Sequence, residues 1–419
     1  MIQIPEVIGD ERAVEGGAMD REAQHCEDDE QQEQRRNRSL DQRHHSAVSP
    51  DRLLGHRSRV YPTPWGILAV VLALACGSGG EVEADESRAS ASEGLVYVKI
   101  VDGQPDLWRV RIADGQTRPL LSTPDRNESW PYWSRTSQRL VFQVEPEAGG
   151  SDLVSWSPEL GEIPLTRTPG RVERWPVWSP DGQRLVYAFR GGRPAAGLGI
   201  VEMAQVERRI LARTGPKDFY LRPDFSPDGD RLVSQRRTDE GIGSRLWLLE
   251  RNEIPTPLLE ESDAFDMKPH FDRSGTRVIF TRRPSRTGAG EIVVTGVDGQ
   301  DLRILYEDPA ADDHSARPSP TRDEIAFISD RGGRPQLYIG RLDGTELRQI
   351  VLEGRSAFAP RWSPDGDRLV VSTTMTPGSP PSRHDSTGLA QIELVVIDRE
   401  GRRLVETPGL MPDWMHSWP

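Results

Sequence analysis

The chain has 419 residues, a formal net charge of −13 and a pI near 5.3. That balance argues against a nucleic-acid partner or a general anionic-membrane surface. Two cysteines, Cys26 and Cys76, cannot make a disulfide framework, and a chain of this length can build a large core without a metal.

Residues 1–47 are polar and charged, as in Glu27-Asp28-Asp29-Glu30, with no apolar period. They are expected to be disordered, or not translated at all if synthesis starts at Val48 or Leu53. Residues 48–75 read as a signal peptide. Arg52, Arg57 and Arg59 lead into Trp65-Gly66-Ile67-Leu68-Ala69-Val70-Val71-Leu72, a run too short for a membrane-spanning helix, which needs about 20 residues. The run ends in Ala73-Leu74-Ala75-Cys76, which resembles a bacterial lipobox. The resemblance implies cleavage before Cys76 and a diacylglyceryl group on its thiol. An ordinary signal peptide that happens to end in Cys is the alternative. Residues 77–94 are mostly Gly, Ser, Glu and Ala and read as a flexible tether with about 20–25 Å of reach.

From residue 95 onward the chain repeats itself. Trp178-Ser179-Pro180-Asp181-Gly182 returns as Phe225-Ser226-Pro227-Asp228-Gly229 and as Trp362-Ser363-Pro364-Asp365-Gly366, with weaker copies at Trp133, Phe271 and Pro318. The spacings are 45, 47, 46, 47 and 44 residues. A period of that size marks an array whose units bury their apolar faces against each other. Each unit opens on a Pro-x-aromatic step, turns at Ser-Pro-Asp-Gly, and continues in short apolar runs of strand length. Four strands per unit is a β-propeller blade.

The first run, Leu95–Ile100, corresponds to the second strand of a unit and has no Pro-x-aromatic step before it. The missing step is Pro412-Asp413-Trp414. The two ends of residues 95–419 should therefore share one blade, which removes two free sheet edges. These 325 residues give about 46 per blade for seven blades and about 54 for six. The expected fold is an all-β, seven-bladed β-propeller, with six or eight blades as the alternatives.

The Trp-Ser-Pro-Asp-Gly copies at 178 and 362, with Phe327-Ile328-Ser329-Asp330-Arg331-Gly332-Gly333, resemble the TolB-type, WD40-like propeller family of bacteria. Members of that family include protein-binding partners of envelope complexes and the propeller halves of larger peptidases. The resemblance implies a bacterial envelope protein; with the lipobox-like Cys76 it is expected to be lipid-anchored, facing periplasm or cell surface.

The hydrolase Gly-x-Ser-x-Gly elbow, a phosphate loop, a Rossmann fingerprint and His-Glu-x-x-His are all missing from the sequence. Catalytic residues, cofactor and metal are therefore expected to be none. The runner-up is a propeller enzyme, a metal-dependent lyase or glycan hydrolase, using His270, His314, His384 or His416 in the central channel. Arg139, Arg184, Arg231, Arg277 and Arg368 recur at one position and are expected to hold each blade together. Recognition is expected in the segments that differ between copies. Just before the Pro-x-aromatic steps stand Glu128 and Trp130, Glu173 and Trp175, Tyr220, Asp266 and Met267, Asp313 and His314, and Phe358. Acids mixed with aromatic and Met side chains are the composition of a protein-binding rim. Packing between blades is the alternative reading. Arginines of the second-to-third loops, such as Arg236, Arg282 and Arg331, are expected to form a basic ring outside the acidic one. The insertion at 373–390 is expected to be a further recognition loop. The expected activity is non-enzymatic binding of an envelope protein or peptide by a membrane-tethered monomer.

Overall fold

The computed structural model describes residues 93–415, apart from 125, 146–148, 239–242, 252–253, 261, 286, 307 and 376–390. The N-terminal region, Cys76, the tether up to residue 92, His384, His416 and most of the 373–390 insertion lie outside the described residues, whereas Gly94 begins the first strand. All elements among the described residues are β-strands, and no helix there is long and apolar enough to cross a membrane.

The strands form successive four-stranded antiparallel sheets, each a meander in chain order. β1 (Gly94–Val101), β2 (Gln104–Arg111) and β3 (Thr117–Leu121) begin the first. β4 (Asn127–Ser134), β5 (Arg139–Glu145), β6 (Asp152–Ser157) and β7 (Gly161–Pro164) make the next. β8 (Val172–Trp178), β9 (Arg184–Arg190), β10 (Ala196–Glu202) and β11 (Glu207–Thr214) follow. β12 (Asp218–Phe225), β13 (Arg231–Thr238), β14 (Ser244–Glu250) and β15 (Thr256–Pro257) are joined by one parallel bridge, Ser244 to Phe265, to β16 (Phe265–Phe271), β17 (Arg277–Arg283), β18 (Glu291–Gly296) and β19 (Arg303–Ile304). Then come β20 (Asp313–Pro318), β21 (Glu324–Ser329), β22 (Gln336–Arg341) and β23 (Arg348–Ile350), and β24 (Ser356–Trp362), β25 (Arg368–Thr374), β26 (Glu393–Asp398) and β27 (Arg403–Pro408). The final strand, β28 (Leu410–Met415), pairs antiparallel with β1, setting Leu95 opposite Trp414 and Val96 opposite Asp413.

The middle strands of each sheet are apolar on both faces, because a sheet on either side covers them. In β5, Leu140, Val141 and Phe142 are all fully buried, whereas the outer strand β11 begins with exposed Glu207, Arg208 and Arg209. The core therefore lies between sheets. One cluster sets Ala326, Ile328, Leu337 and Ile339 against Leu369, Val371, Val395 and Ile397 of the following sheet. Each such side chain contributes about 1.5–3 kcal/mol through burial.

The repeated Ser-Pro-Asp-Gly turn follows from its side chains. Ser179 Oγ donates to Asp181 Oδ1 at 2.5 Å and accepts from the Arg184 amide at 2.9 Å, while Gly182 takes a φ of 68°. The same bonds recur at Ser226 and Ser363. A Cβ on Gly182 would stand 2.9 Å from Ser134 Oγ and the Ser137 amide, so the turn docks on the preceding sheet and requires glycine there. The recurrent arginines do two jobs. Arg231 and Arg368 reach the Asp of their own turn, at 3.5 and 3.3 Å, whereas Arg184 donates to the Gly229 carbonyl of the next one at 2.9 Å.

The anchor tryptophans also join sheets. Trp178, Trp362 and Trp414 each donate their indole N–H to a first-strand carbonyl of the preceding sheet: Tyr132 at 3.1 Å, Arg317 at 2.9 Å and Arg361 at 3.2 Å. Each acceptor is the middle residue of a Pro-x-aromatic step, or its counterpart where Ala316 replaces the Pro. The motif is thus an inter-sheet clamp as well as part of a sheet's own packing.

Candidate functional site

Each innermost strand carries a bulge at the same place. The register shifts after Ser129, Arg174, Leu221, Met267, His314 and Phe358, and again where β28 meets β1. At each bulge stands a non-glycine residue with positive φ: Trp130, Trp175, Arg222, Lys268, Ser315, Ala359 and Met411, with values from 44° to 59°. All but Ser315 precede a proline, which normally favours extended backbone. Such a conformation costs about 1–3 kcal/mol and persists only where its surroundings enforce it. Bulges re-aim side chains. Here they turn six of the seven residues into the lining of one chamber of about 340 Å³.

That chamber lies on the side where the innermost strands begin. A second chamber, of about 390 Å³, lies on the Ser-Pro-Asp-Gly side. His270, Arg317 and Arg361 line both and form the waist between them. At the waist Arg317 bonds to the His270 ring, His270 Nδ1 is 3.4 Å from Asp224, and Arg361 meets Asp413 at 3.1 Å. Arg361 also stacks over Tyr132 at 4.9 Å, and Asp413 accepts from the Trp133 amide at 2.6 Å. Burial and the Arg317 charge push His270 down to about 4, so it is neutral at physiological pH. Burial, with Arg222, Arg317 and Arg283 adding repulsion, pushes the Lys268 amine down to about 7. Its Nζ donates to Ser315 Oγ at 2.9 Å.

The acids expected on an exposed rim are inside. Glu128, Glu173, Asp266 and Asp313 are all buried. Three are held by arginines: Arg126 meets Glu128 at 3.0 Å, Arg282 grips Asp266 through two bonds of 2.7 and 2.9 Å, and Arg331 meets Asp313 at 2.5 Å. At two of these places an arginine expected in an outer basic ring neutralises an acid expected in an inner ring. The separate rings read from the sequence are therefore corrected to buried ion pairs, formed because β16 and β17 set Asp266 opposite Arg282. Burial pushes Asp313 up to about 6 despite Arg331. Glu173 differs. Neither of its oxygens has a hydrogen-bond partner at normal distance, and burial pushes it up to about 7, held back by the hydroxyls of Thr166 and Thr168.

The apolar candidates separate. Tyr220 is buried at 3% exposure, in a cluster with Val186, Leu198 and Leu232, so its expected place as a rim side chain is corrected. Trp175 is half-buried against that cluster, with the Arg222 guanidinium over its ring. Trp130 and Phe358 line the loop-side chamber. Met267 and His314 are half-buried, and His314 Nδ1 lies 2.9 Å from Ser315 Oγ. Among the described residues no three His, Cys, Asp or Glu side chains gather closely enough to hold a metal ion.

Sequence reasoning missed the waist. Its residues, His270, Arg317 and Arg361 with Tyr132, Asp224 and Asp413 in contact with them, occupy the x of a Pro-x-aromatic step or its equivalent. The signal was available: this column is variable and mostly polar inside an otherwise buried strand.

A family model described as TolB beta propeller domain matches residues 268–379. The Tol-Pal system protein TolB of Anaeromyxobacter sp. (strain K) is 31% identical over 220 residues, covering 44% of this chain and 50% of that protein. The chain thus spans about half the length of the curated relatives it matches. Among solved structures, prolyl oligopeptidase B from Galerina marginata aligns with a TM-score of 0.55 and 13% identity over 80% of this chain and 54% of its own. An oligogalacturonate lyase in complex with manganese aligns with a TM-score of 0.53 and 14% identity over 75% of this chain and 84% of its own. At such identities the two structures speak for the fold alone. With its all-β sheets and its repeated turn, the chain is similar to TolB-type β-propellers, and residues 268–379 match the model of their repeat domain.

Proposed function

We propose that this is a non-enzymatic propeller of the bacterial envelope that binds a protein or peptide on the side where its innermost strands begin. In this reading there are seven blades, and β28 completes the blade begun by β1. Cys76 carries a lipid that tethers a monomer to the membrane. The observation that carries the reading is the bulged residue of each innermost strand. A costly backbone conformation is repeated around one axis, and its effect is to aim residues that differ from blade to blade into one open chamber. A scaffold that presents non-identical side chains at equivalent places is built for recognition rather than for one reaction. The Tol-Pal relatives favour an envelope setting, and the lipobox-like Ala73-Leu74-Ala75-Cys76 favours the tether.

The test uses the full chain and its Cys76→Ser variant in bacterial cells. The expected result is that wild-type protein sediments with membranes and is captured by cross-linking together with an envelope protein, whereas Cys76→Ser is recovered in the soluble fraction. Equal sedimentation of the two would refute the tether. Stoichiometric metal in the purified protein, with turnover of a uronate oligosaccharide, would refute the non-enzymatic reading.

A further inference from the structure

The chain is acidic as a whole, yet the loop-side chamber is not. Arg222, Lys268, Arg317 and Arg361 line it, and no Asp or Glu does. The turn-side chamber, by contrast, mixes Arg273, Arg317 and Arg361 with Asp224, Asp272 and Asp413. Three arginines and Lys268 around an open recess, beside the neutral His270, make a local positive potential inside a molecule of net charge −13. Two of the four lack a carboxylate partner: among the described residues none lies within ion-pair distance of Lys268 Nζ or of the Arg317 guanidinium. Burial first, and then the neighbouring arginines, depress the Lys268 amine.

The opposite wall is apolar, with Trp130, Phe358, Leu410 and Met411. The chamber's size is at the lower end of ordinary ligand sites. A recess with cations on one side and aromatic and thioether groups on the other suits a ligand that alternates carboxylates with apolar groups.

We propose that the loop-side chamber binds an acidic peptide segment, its carboxylates on Lys268 and Arg317 and its apolar side chains against Trp130, Phe358 and Met411. This rests on the reading of the protein as a binding propeller and names the chemistry of its partner. Removing a desolvated, charge-assisted contact of this kind weakens binding markedly, since the partner's carboxylate is left buried without its cation.

The experiment measures fluorescence anisotropy of a labelled, acetylated hexapeptide alternating Glu and Leu, titrated with the full chain. The same peptide with Gln for Glu is the neutral control, and tri-galacturonate is the competitor. The Glu peptide is expected to bind at least tenfold more tightly than the Gln peptide and to weaken as salt rises. Lys268→Gln and Arg317→Gln are each expected to lose at least tenfold. Arg317 is bonded to His270 and its variant could unfold, so Lys268→Gln, whose Nζ among the described residues is bonded only to Ser315 Oγ, keeps the test decisive. No binding of the Glu peptide, equal binding of the two peptides, or unchanged affinity in Lys268→Gln with an unchanged melting curve would overturn the proposal. Stronger binding of tri-galacturonate than of the peptide would overturn it in favour of a saccharide. Capture of an envelope protein without any preference for Glu over Gln would sink this inference and leave the proposed function standing.

Discussion

Glu173 is the buried acid for which the fold supplies least, and its replacement by Gln has a pH signature that can be worked out. The carboxyl is fully buried and titrates near 7, against 4.5 for a free glutamate side chain. The nearby Arg171 is occupied elsewhere, donating to the carbonyls of Gly191 at 3.1 Å and Arg193 at 3.0 Å. Because the folded value is raised, the folded state holds the proton more tightly than the unfolded one. The protonated form's contribution is therefore fully present below pH 4.5 and is lost as pH climbs through 7. At about 1.4 kcal/mol per pH unit, the gap amounts to about 3 kcal/mol as an upper limit. Gln has nearly the same shape and no charge to bury. Glu173→Gln should match the wild type near pH 4.5 and exceed it by up to about 3 kcal/mol at pH 8. The assay is urea unfolding of both proteins at a series of pH values, with the difference in midpoints plotted against pH. Glu128→Gln is the internal comparison. It occupies the equivalent place and burial raises its carboxyl too, but Arg126 offsets part of that burial at 3.0 Å, so its gain at pH 8 should be smaller than that of Glu173→Gln. A Glu173→Gln difference that stays flat from pH 4.5 to 8 would refute the argument that desolvation governs this carboxyl.

Two further outcomes follow from the packing. Tyr220→Ala should lower the melting temperature through a core cavity costing about 3–5 kcal/mol, whereas Trp130→Ala, at the wall of an open chamber, should melt near the wild type while losing affinity for the acidic peptide; equal melting losses in the two would contradict the assignment. Ending the chain at residue 407 removes β28 with its pairing to β1, its Asp413–Arg361 ion pair and the Trp414 indole bond to the Arg361 carbonyl, and should prevent cooperative unfolding; an unchanged transition in circular dichroism would contradict ring closure.

The period near 46 residues, read with Ser-Pro-Asp-Gly turns and strand-length apolar runs, carried the all-β class and the TolB-type repeat. This is because a turn is local chemistry: Ser179, Asp181 and Gly182 bond within five residues and need no distant partner. The pairing of the first strand with Pro412-Asp413-Trp414 was likewise legible, as a step missing at one end and present at the other. What a side chain meets across sheets was not. Glu128 and Asp266 look like rim acids in the sequence because nothing local shows that Arg126 and Arg282 fold over them. Tyr220 and Trp130 occupy nearby places in their repeats, yet one is core and the other lines a chamber, because Trp130 stands at a bulge whereas Tyr220 lies two residues before the bulge at Arg222. The gathering of Arg222, Lys268, Arg317 and Arg361 was decided by tertiary structure alone. Those four residues span 140 positions in the chain, and only innermost strands arranged about a common axis bring their charges into one recess.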